Sequence, residues 1–350
     1  MKNALEILHE GTVIPAMPLV LDDNRKFDPD GQRLLVNYYL AAGSGGIAVG
    51  VHTTQFEIRQ PRHNLLEPVL SCAAGAITKT EFEENNEKRI VKIAGVCGEI
   101  TQAVREAELA KKLGYNAVLL SPDGLSQKDD DYLLERTRRV AEIMPVIGLY
   151  LQAAVGGWVL PYEYWLKLSE IEGLVAINCS SFDRYQTIDV MRGVSDSSRA
   201  DKIAMYTGND DTIIYDLLSS YNFNGCEIAF VGGLLGHWSV WTSKAVRIFE
   251  RIKEAAKEPV IPAELMLLAN QVTDANAAFF DAKNNYKGGK AGLHEILKRQ
   301  GLMKNIYCLN PEEGLSDGQL EEIDRVYKAY PYLNDDEFVK RFLEQYNFIA

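Results

Sequence analysis

Cysteine and histidine, the residues that most often bind metal ions or act as nucleophiles, are scattered along this sequence. The five cysteines are Cys72, Cys97, Cys179, Cys226 and Cys308, and no two of them form a CxxC pair. The five histidines are His9, His52, His63, His237 and His294, and they form no HExxH or HxH pair. Such spacings indicate neither a disulfide framework nor a metal site. We therefore expect free thiols, no metal and no other cofactor.

A second set of polar residues occurs in or at the ends of short apolar runs. His52, Thr53 and Thr54 follow one run, and Glu227 interrupts another, between Cys226 and Ile228. Histidine can act as a base, and threonine hydroxyls and backbone amides can hold a carboxylate. A carboxyl group inside a protein has a raised pKa and can serve as general acid or base. These residues are candidates for a site that binds and transforms a small acid.

The elements that must position these residues repeat along the chain. Eight β-branched or apolar runs end in small or polar residues and leave room for one helix between each pair. They span residues 12–21, 46–50, 91–96, 117–121, 146–151, 174–179, 203–207 and 226–231. Helical spacing separates them, as in the stripe of Trp165, Leu168 and Ile171, and Gly114 and Gly173 stand where helices should end. The pattern predicts a (β/α)8 TIM barrel.

The C-terminal third is helical throughout. We predict a barrel over residues 1–235 and a C-terminal helical extension, packed on the barrel, over residues 236–350. In such a barrel the site lies at the C-terminal ends of the strands. Tyr150 and Asn178 fall at two of those ends.

Several motifs, in order, resemble the dihydrodipicolinate synthase and N-acetylneuraminate lyase superfamily. They begin with Pro18, Asp28 and the Thr53-Thr54 pair, and continue with IAGVCGE, AELAKKLGYNAVLLSP, PVIGLYLQ, LVAINCSSFD and YTGNDD. KAGLHEILKRQGL and LSDGQLEEID resemble its C-terminal helices, so the resemblance covers nearly the whole chain. Each motif is weak alone, but their order and spacing together are fairly specific.

The resemblance implies a lyase that binds a 2-keto acid. It assigns the substrate carboxylate to Thr53 and Thr54 and a proton-relay role to Tyr150. Members of the superfamily form a Schiff base on a lysine at the end of strand six, where this chain has Asn178. An amide is not nucleophilic and cannot form an imine.

Each candidate also has a purely structural explanation. Asn178 could donate to a substrate carbonyl or simply stabilise the barrel, and Tyr150 could belong to the core. Glu227 could face the barrel interior or the outside, and His52 could be a base or a loop residue. Asp210 matches a Gly-x-Asp motif of the superfamily, although its position also predicts the N-cap of a helix.

The leading hypothesis is a lyase, of aldolase or dehydratase type, acting on a small 2-keto or hydroxy acid without an imine. One alternative is a non-catalytic ligand-binding or regulatory barrel that keeps the keto-acid pocket. Another is that Lys92, Lys128 or Lys202 enters the pocket.

The charge limits the classes of partner. With 49 acidic and 37 basic residues the chain carries a net charge of −12, so we expect no nucleic-acid or membrane partner. No apolar run could span a bilayer and the N-terminal residues do not indicate a secretory signal, so we expect a cytoplasmic protein. The resemblance implies a homo-oligomer, a dimer or tetramer.

Overall fold

The computed structural model describes residues 2–83 and 89–349 of the chain. The strands are β1 (Val13–Pro15), β2 (Gly46–Val49), β3 (Val91–Val96), β4 (Ala117–Leu120), β5 (Val146–Leu151), β6 (Leu174–Ser180), β7 (Ala204–Thr207), β8 (Ser220–Phe223) and β9 (Cys226–Leu235). The helices are α1 (Ala4–Glu10), α2 (Pro29–Ala42), α3 (Leu66–Glu83), α4 (Ile100–Lys112), α5 (Asp130–Ala141), α6 (Tyr162–Ser169), α7 (Arg184–Ser195), α8 (Ile213–Leu218), α9 (Thr242–Ala255), α10 (Ala263–Phe279), α11 (Gly289–Arg299), α12 (Gln319–Ala329) and α13 (Asp336–Ile349).

Eight parallel strands form a nearly closed barrel. They pair in the order β1-β9-β7-β6-β5-β4-β3-β2, and a parallel bridge between Ala16 and Ala48 brings β1 beside β2. Helices alternate with the strands and cover the outside of the barrel. The predicted (β/α)8 TIM barrel is confirmed.

The first and last barrel strands differ from the prediction. Strand β1 ends at Pro15, before Pro18, which has no N–H to donate to a neighbouring strand. The start of β9 pairs antiparallel with β8, a hairpin strand that the sequence pattern did not predict. Strand β9 pairs with β7 only from Phe230 and continues to Leu235. The C-terminal end of the last barrel strand therefore lies four residues beyond the predicted end, Val231.

Side chains on each strand alternate between the barrel interior and the helical layer, as the two-residue repeat of a strand requires. On β6, Ala176 packs inside the barrel, whereas Ile177 and Cys179 belong to the core between strands and helices. Helix α1 closes the N-terminal end of the barrel with Leu8, whose carbonyl accepts a hydrogen bond from the Tyr206 hydroxyl at 2.7 Å.

Helix ends follow from local chemistry. Asp28 caps α2 by accepting hydrogen bonds from the amides of Asp30 and Gly31. Gly114 and Gly173 adopt left-handed φ values of 79° and 89° just before β4 and β6, where glycine has no steric penalty.

After the last barrel strand, α9 packs against α2, α8 and β1 and so completes the ring of helices. Helices α10 to α13 form the C-terminal extension. Buried Asp335 joins it to the barrel, because its carboxylate accepts hydrogen bonds from the Tyr38 hydroxyl at 2.7 Å and the Ser243 amide at 2.9 Å. Within residues 2–83 and 89–349, no helix is both long enough and apolar enough to cross a membrane.

Candidate active site

A cavity of about 110 Å³ lies at the C-terminal ends of the barrel strands. The extension covers it with Phe280 and Tyr286, which lie in the segment between α10 and α11, and with Gly289, the first residue of α11. The polar residues of its lining are His52, Thr53, Ser121, Gln152, Asn178, Ser180, Asp210 and Tyr286. The other lining residues are apolar or glycine. The cavity is thus a mainly apolar space with a few polar groups, which is typical of a small-molecule site.

Asn178 lines this cavity from the interior face of β6 and is 2% exposed. Its Nδ2 donates to the carbonyl of Leu234 at 3.3 Å, and its Oδ1 has no hydrogen-bond partner among the described residues. The Leu234 carbonyl can only accept a hydrogen bond. It must therefore face the Nδ2 atom, which fixes the orientation of the Asn178 side-chain amide. A buried acceptor without a donor costs free energy unless a ligand or water supplies the donor.

Asp210 lines the same side of the cavity from the loop after β7. Its Oδ1 accepts a hydrogen bond from the His237 amide at 2.9 Å. Burial, reinforced by the charge of Asp211, raises the pKa of Asp210 to about 7. A carboxyl group with this pKa can give or take a proton near neutral pH.

The prediction that Asp210 caps a helix is wrong. Helix α8 begins at Ile213, its N-cap is Thr212, and no side chain caps it. The His237 amide, at the end of the last barrel strand, holds the Asp210 carboxyl group towards the cavity instead.

Of the predicted threonine pair, only Thr53 lines the cavity. Its hydroxyl donates to the Ala16 carbonyl at 2.7 Å, and the Thr54 hydroxyl donates to the Met17 carbonyl at 2.6 Å and accepts from the Gly50 amide. Each hydroxyl has one hydrogen, and both are already used. The pair ties β2 to β1, and in this arrangement neither hydroxyl can donate to a substrate carboxylate.

His52 also lines the cavity, beside Phe56, whose ring it meets edge-on at 6.0 Å. Burial and the nearby positive charge of Lys290 lower the pKa of His52 to about 4. The imidazole is therefore neutral at pH 7 and can accept a hydrogen bond or a proton.

Tyr150 points away from the cavity. Its neighbours Leu149 and Leu151 line the cavity, so the alternation of β5 turns Tyr150 into the helical layer. There its ring stacks on Trp165 at 5.0 Å and its hydroxyl donates to Gln186 Oε1 at 2.7 Å. Burial raises the pKa of Tyr150 to about 12. This geometry does not support the expected proton relay.

Glu227 is exposed on the β8–β9 hairpin, opposite Asn222 and at the N-terminal side of the last barrel strand. The hairpin shifts this part of β9 out of the barrel, which is why the residue does not face the interior. The structure does not bring Glu227 to the cavity.

Among the described residues, no lysine or arginine lines the cavity. Lys92 pairs with Glu81, Lys128 with Glu99 and Lys202 with Asp201, all outside it. Lys290, whose charge acts on His52, was not singled out by any motif, and it pairs with Glu313 at 2.7 Å. In the part of the chain that the structure describes, no three His, Cys, Asp or Glu residues are grouped to hold a metal ion.

Sequence reasoning did not single out Tyr286, Gln152 or Ser180 as site residues, although Gln152 and Ser180 lie at predicted strand ends. Tyr286 comes from the extension and has a left-handed φ of 65°, and its ring meets Phe182 edge-on at 5.7 Å. No motif marked it. Ser180 could have been found, because it lies two residues after Asn178 on the same face of β6.

Comparison with known proteins agrees with the motifs. No family model matches the chain. It is 26% identical over 228 residues to an N-acetylneuraminate lyase of Citrobacter koseri, a match that spans 61% of this chain and 70% of that protein. The fold is similar to dihydrodipicolinate synthase from Oceanobacillus iheyensis, with a TM-score of 0.73 at 18% identity, covering 94% of this chain and 100% of the other. N-acetylneuraminate lyase from Fusobacterium nucleatum gives a TM-score of 0.70 at 16% identity, covering 92% and 99%. The relative in sequence and the shared fold support the resemblance to the dihydrodipicolinate synthase and N-acetylneuraminate lyase superfamily.

Proposed function

We propose that this chain is a lyase of aldolase or dehydratase type that acts on a small 2-keto or hydroxy carboxylic acid without forming an imine. The single observation that carries the proposal is Asp210, a buried carboxyl group that lines the cavity and whose pKa lies at about 7. The lyase named in the sequence comparison and the position of the cavity support the reaction class.

Both reaction types move a proton at a substrate oxygen. In aldol cleavage the hydroxyl proton passes to a base while the C–C bond breaks. The electron pair of the C–C bond moves towards the neighbouring carbonyl group and forms an enolate. In dehydration of a 2,3-dihydroxy acid the C2 proton passes to a base, the electron pair of that C–H bond forms the C=C bond of an enol, and a proton joins the C3 hydroxyl, which departs as water. The Asp210 carboxyl group can serve as the base in the first case and as the acid in the second.

Asn178 takes the place that the superfamily gives to its lysine. In favour of this assignment, Asn178 lies on the interior face of β6 near its C-terminal end and lines the cavity. Only one hydrogen of its Nδ2 is used, in the contact with Leu234. The second can donate to a substrate carbonyl oxygen and so stabilise the enolate that forms when a neighbouring bond breaks.

The test is a turnover assay on 4-hydroxy-2-oxo acids, measured as release of pyruvate, and on 2,3-dihydroxy acids, measured as formation of a 2-keto acid. Asp210→Asn should reduce kcat at least about 100-fold, the usual contribution of a general acid or base. Glu227→Gln is the matched control, since it neutralises an exposed carboxylate outside the cavity, and it should keep full activity.

A non-catalytic ligand-binding barrel is the second candidate. The observation in its favour is that the Thr53 and Thr54 hydroxyls are engaged with backbone carbonyls and no lysine of the described chain lines the cavity. Saturable binding of keto acids with no turnover of either substrate class would support this candidate and exclude the lyase.

A further inference from the structure

The residues described around the cavity offer a ligand no positive charge. The lining has one acid, Asp210, and one histidine, His52, whose pKa of about 4 leaves it neutral. An anion that enters must therefore be stabilised by neutral donors alone. Burial of an uncompensated charge in apolar surroundings is costly, and a second like charge nearby adds to that cost.

Two cations near the cavity, Lys290 and Arg59, are already paired with carboxylates. Lys290 pairs with Glu313 at 2.7 Å and lies 4.0 Å from Glu57. Arg59 pairs with Glu106 at 3.0 Å. Lys290 acts on His52, but Lys290 and Arg59 each already have a carboxylate partner, so neither is available to form an ion pair with a ligand in the cavity.

On the opposite side, Arg184 pairs with buried Asp216 at 2.9 Å. This pair lies near Asp211, whose pKa burial raises and Arg184 lowers. The described residues on the side of Arg184 therefore contribute no unpaired cation either.

The groups around Asp210 are neutral or negative on every element that faces it. The short helical turn after the last barrel strand contributes the His237 amide, and the ring of His237 is neutral because burial lowers its pKa to about 4. The loop after β7 contributes Asp211, and the extension contributes Tyr286, whose pKa rises through burial and the charges of Asp211 and Asp210. Strand β6 contributes the neutral Asn178.

We propose that the cavity accepts ligands with at most one negative charge, and that a monocarboxylate enters together with a proton that resides on Asp210. The proposal rests on the proposed function only in assuming that small carboxylic acids bind in this cavity. Two carboxyl groups in one water-poor site share a proton, because both cannot be ionised without strong repulsion. A protonated Asp210 can then act as the acid of the dehydration described above, and it cannot act as the base of an aldol cleavage. Dicarboxylates and phosphorylated acids bring a second charge that the lining cannot compensate.

The test is calorimetric titration with pyruvate at pH 6 and pH 8.5, in two buffers that differ in enthalpy of ionisation. Above pH 7 we expect uptake of about one proton per pyruvate bound and an affinity that falls about tenfold per pH unit, as proton linkage requires. At pH 6 the uptake should be small. Methyl pyruvate, the neutral counterpart, should bind with no proton uptake at either pH.

Two further arms complete the experiment. Asp210→Asn keeps an oxygen for the His237 amide but cannot ionise, so its pyruvate affinity should be independent of pH. The dicarboxylate 2-oxoglutarate should bind wild type at least about 100-fold more weakly than the monocarboxylate 2-oxobutyrate, because its second charge is buried without a partner.

The outcomes separate the two proposals. Pyruvate binding at pH 8.5 without proton uptake, or equal affinity for the two oxo acids, would overturn the charge inference and leave the lyase proposal intact. If neither pyruvate nor methyl pyruvate binds saturably, the proposed function fails, and the inference fails with it.

Discussion

Asn178 and Asp210 are both anchored to the C-terminal end of the last barrel strand. The Asn178 amide donates to the Leu234 carbonyl at 3.3 Å, and the Asp210 carboxylate accepts from the His237 amide at 2.9 Å. These contacts fix one side chain from β6 and one from the loop after β7 at the cavity, and the Asn178 Oδ1 has no hydrogen-bond partner in the described chain. The pair is therefore preorganised for a ligand, which is what a site on rigid elements requires.

The raised pKa of Asp210 predicts that Asp210→Asn stabilises the fold at alkaline pH. The folded-state pKa is about 7, whereas an unfolded aspartate has a pKa of about 3.9. Between these values the unfolded chain ionises while the folded chain keeps its proton, so the free energy of unfolding falls as pH rises to about 7. Asparagine does not ionise and avoids this loss. Urea denaturation should show no difference at pH 4 and a gain of up to about 4 kcal/mol for the variant at pH 8.

If Asp210→Asn were less stable than wild type at pH 8, the predicted direction of the stability change would be wrong. Such a result would mean that the carboxylate is held by favourable contacts that the structure does not show. Asp210→Asn would then combine lost activity with lost stability, whereas we expect it to exchange activity for stability.

The barrel itself was predictable, because eight apolar runs and their helices follow simple periodicities. Asn178 does line the cavity from the interior of β6, as expected from the resemblance, which gives it the position of the superfamily's lysine. The position of Tyr150 was not predicted correctly, because motif similarity did not fix the register of β5. In the barrel, Tyr150 is the register partner of Cys179, and Leu149 is the partner of Asn178. A shift of one residue moves a side chain to the other face.

Glu227 and Asp210 show two other limits of sequence reasoning. The β8–β9 hairpin depends on long-range pairing, so the apolar run around Glu227 could not reveal that its first residues lie outside the barrel. For Asp210, local chemistry predicted a helix cap, but a backbone amide 27 residues further along the chain binds the carboxylate instead. Contacts that are distant in sequence decided both positions.

Tyr150→Phe is expected to leave turnover within about twofold of wild type while lowering stability. In the helical layer the hydroxyl donates to Gln186 at 2.7 Å and accepts from the Leu160 amide at 3.4 Å, and each lost hydrogen bond costs about 1 kcal/mol. Steady-state kinetics and urea denaturation of the same preparation measure both effects. If turnover instead dropped by about two orders of magnitude while stability stayed unchanged, the hydroxyl would have to act in the reaction as a general acid or base.

Replacement of Thr53 and replacement of Thr54 should lower the free energy of unfolding by different amounts. Thr54→Val leaves the buried Gly50 amide without its partner, so the free energy of unfolding should fall by about 1–3 kcal/mol. Thr53→Val should cost less, because the Ala16 carbonyl still accepts a hydrogen bond from the Ser239 hydroxyl. Denaturation curves compared with wild type test this order. Equal losses, or a larger loss for Thr53→Val, would show that these hydrogen bonds do not control the junction of β1 and β2.

Borohydride reduction in the presence of pyruvate should leave the chain without a covalent adduct. An imine needs an unprotonated amine that can reach the substrate carbonyl, and no lysine of the described residues lines the cavity. Lys290, whose charge acts on His52, pairs with Glu313 at 2.7 Å outside the cavity lining. Intact-mass measurement followed by peptide mapping tests the prediction, with Lys290→Met as the control variant. An adduct that maps to Lys290 and disappears in Lys290→Met would show that a lysine of the extension enters the cavity. The nucleophile would then lie on α11 and not on a barrel strand.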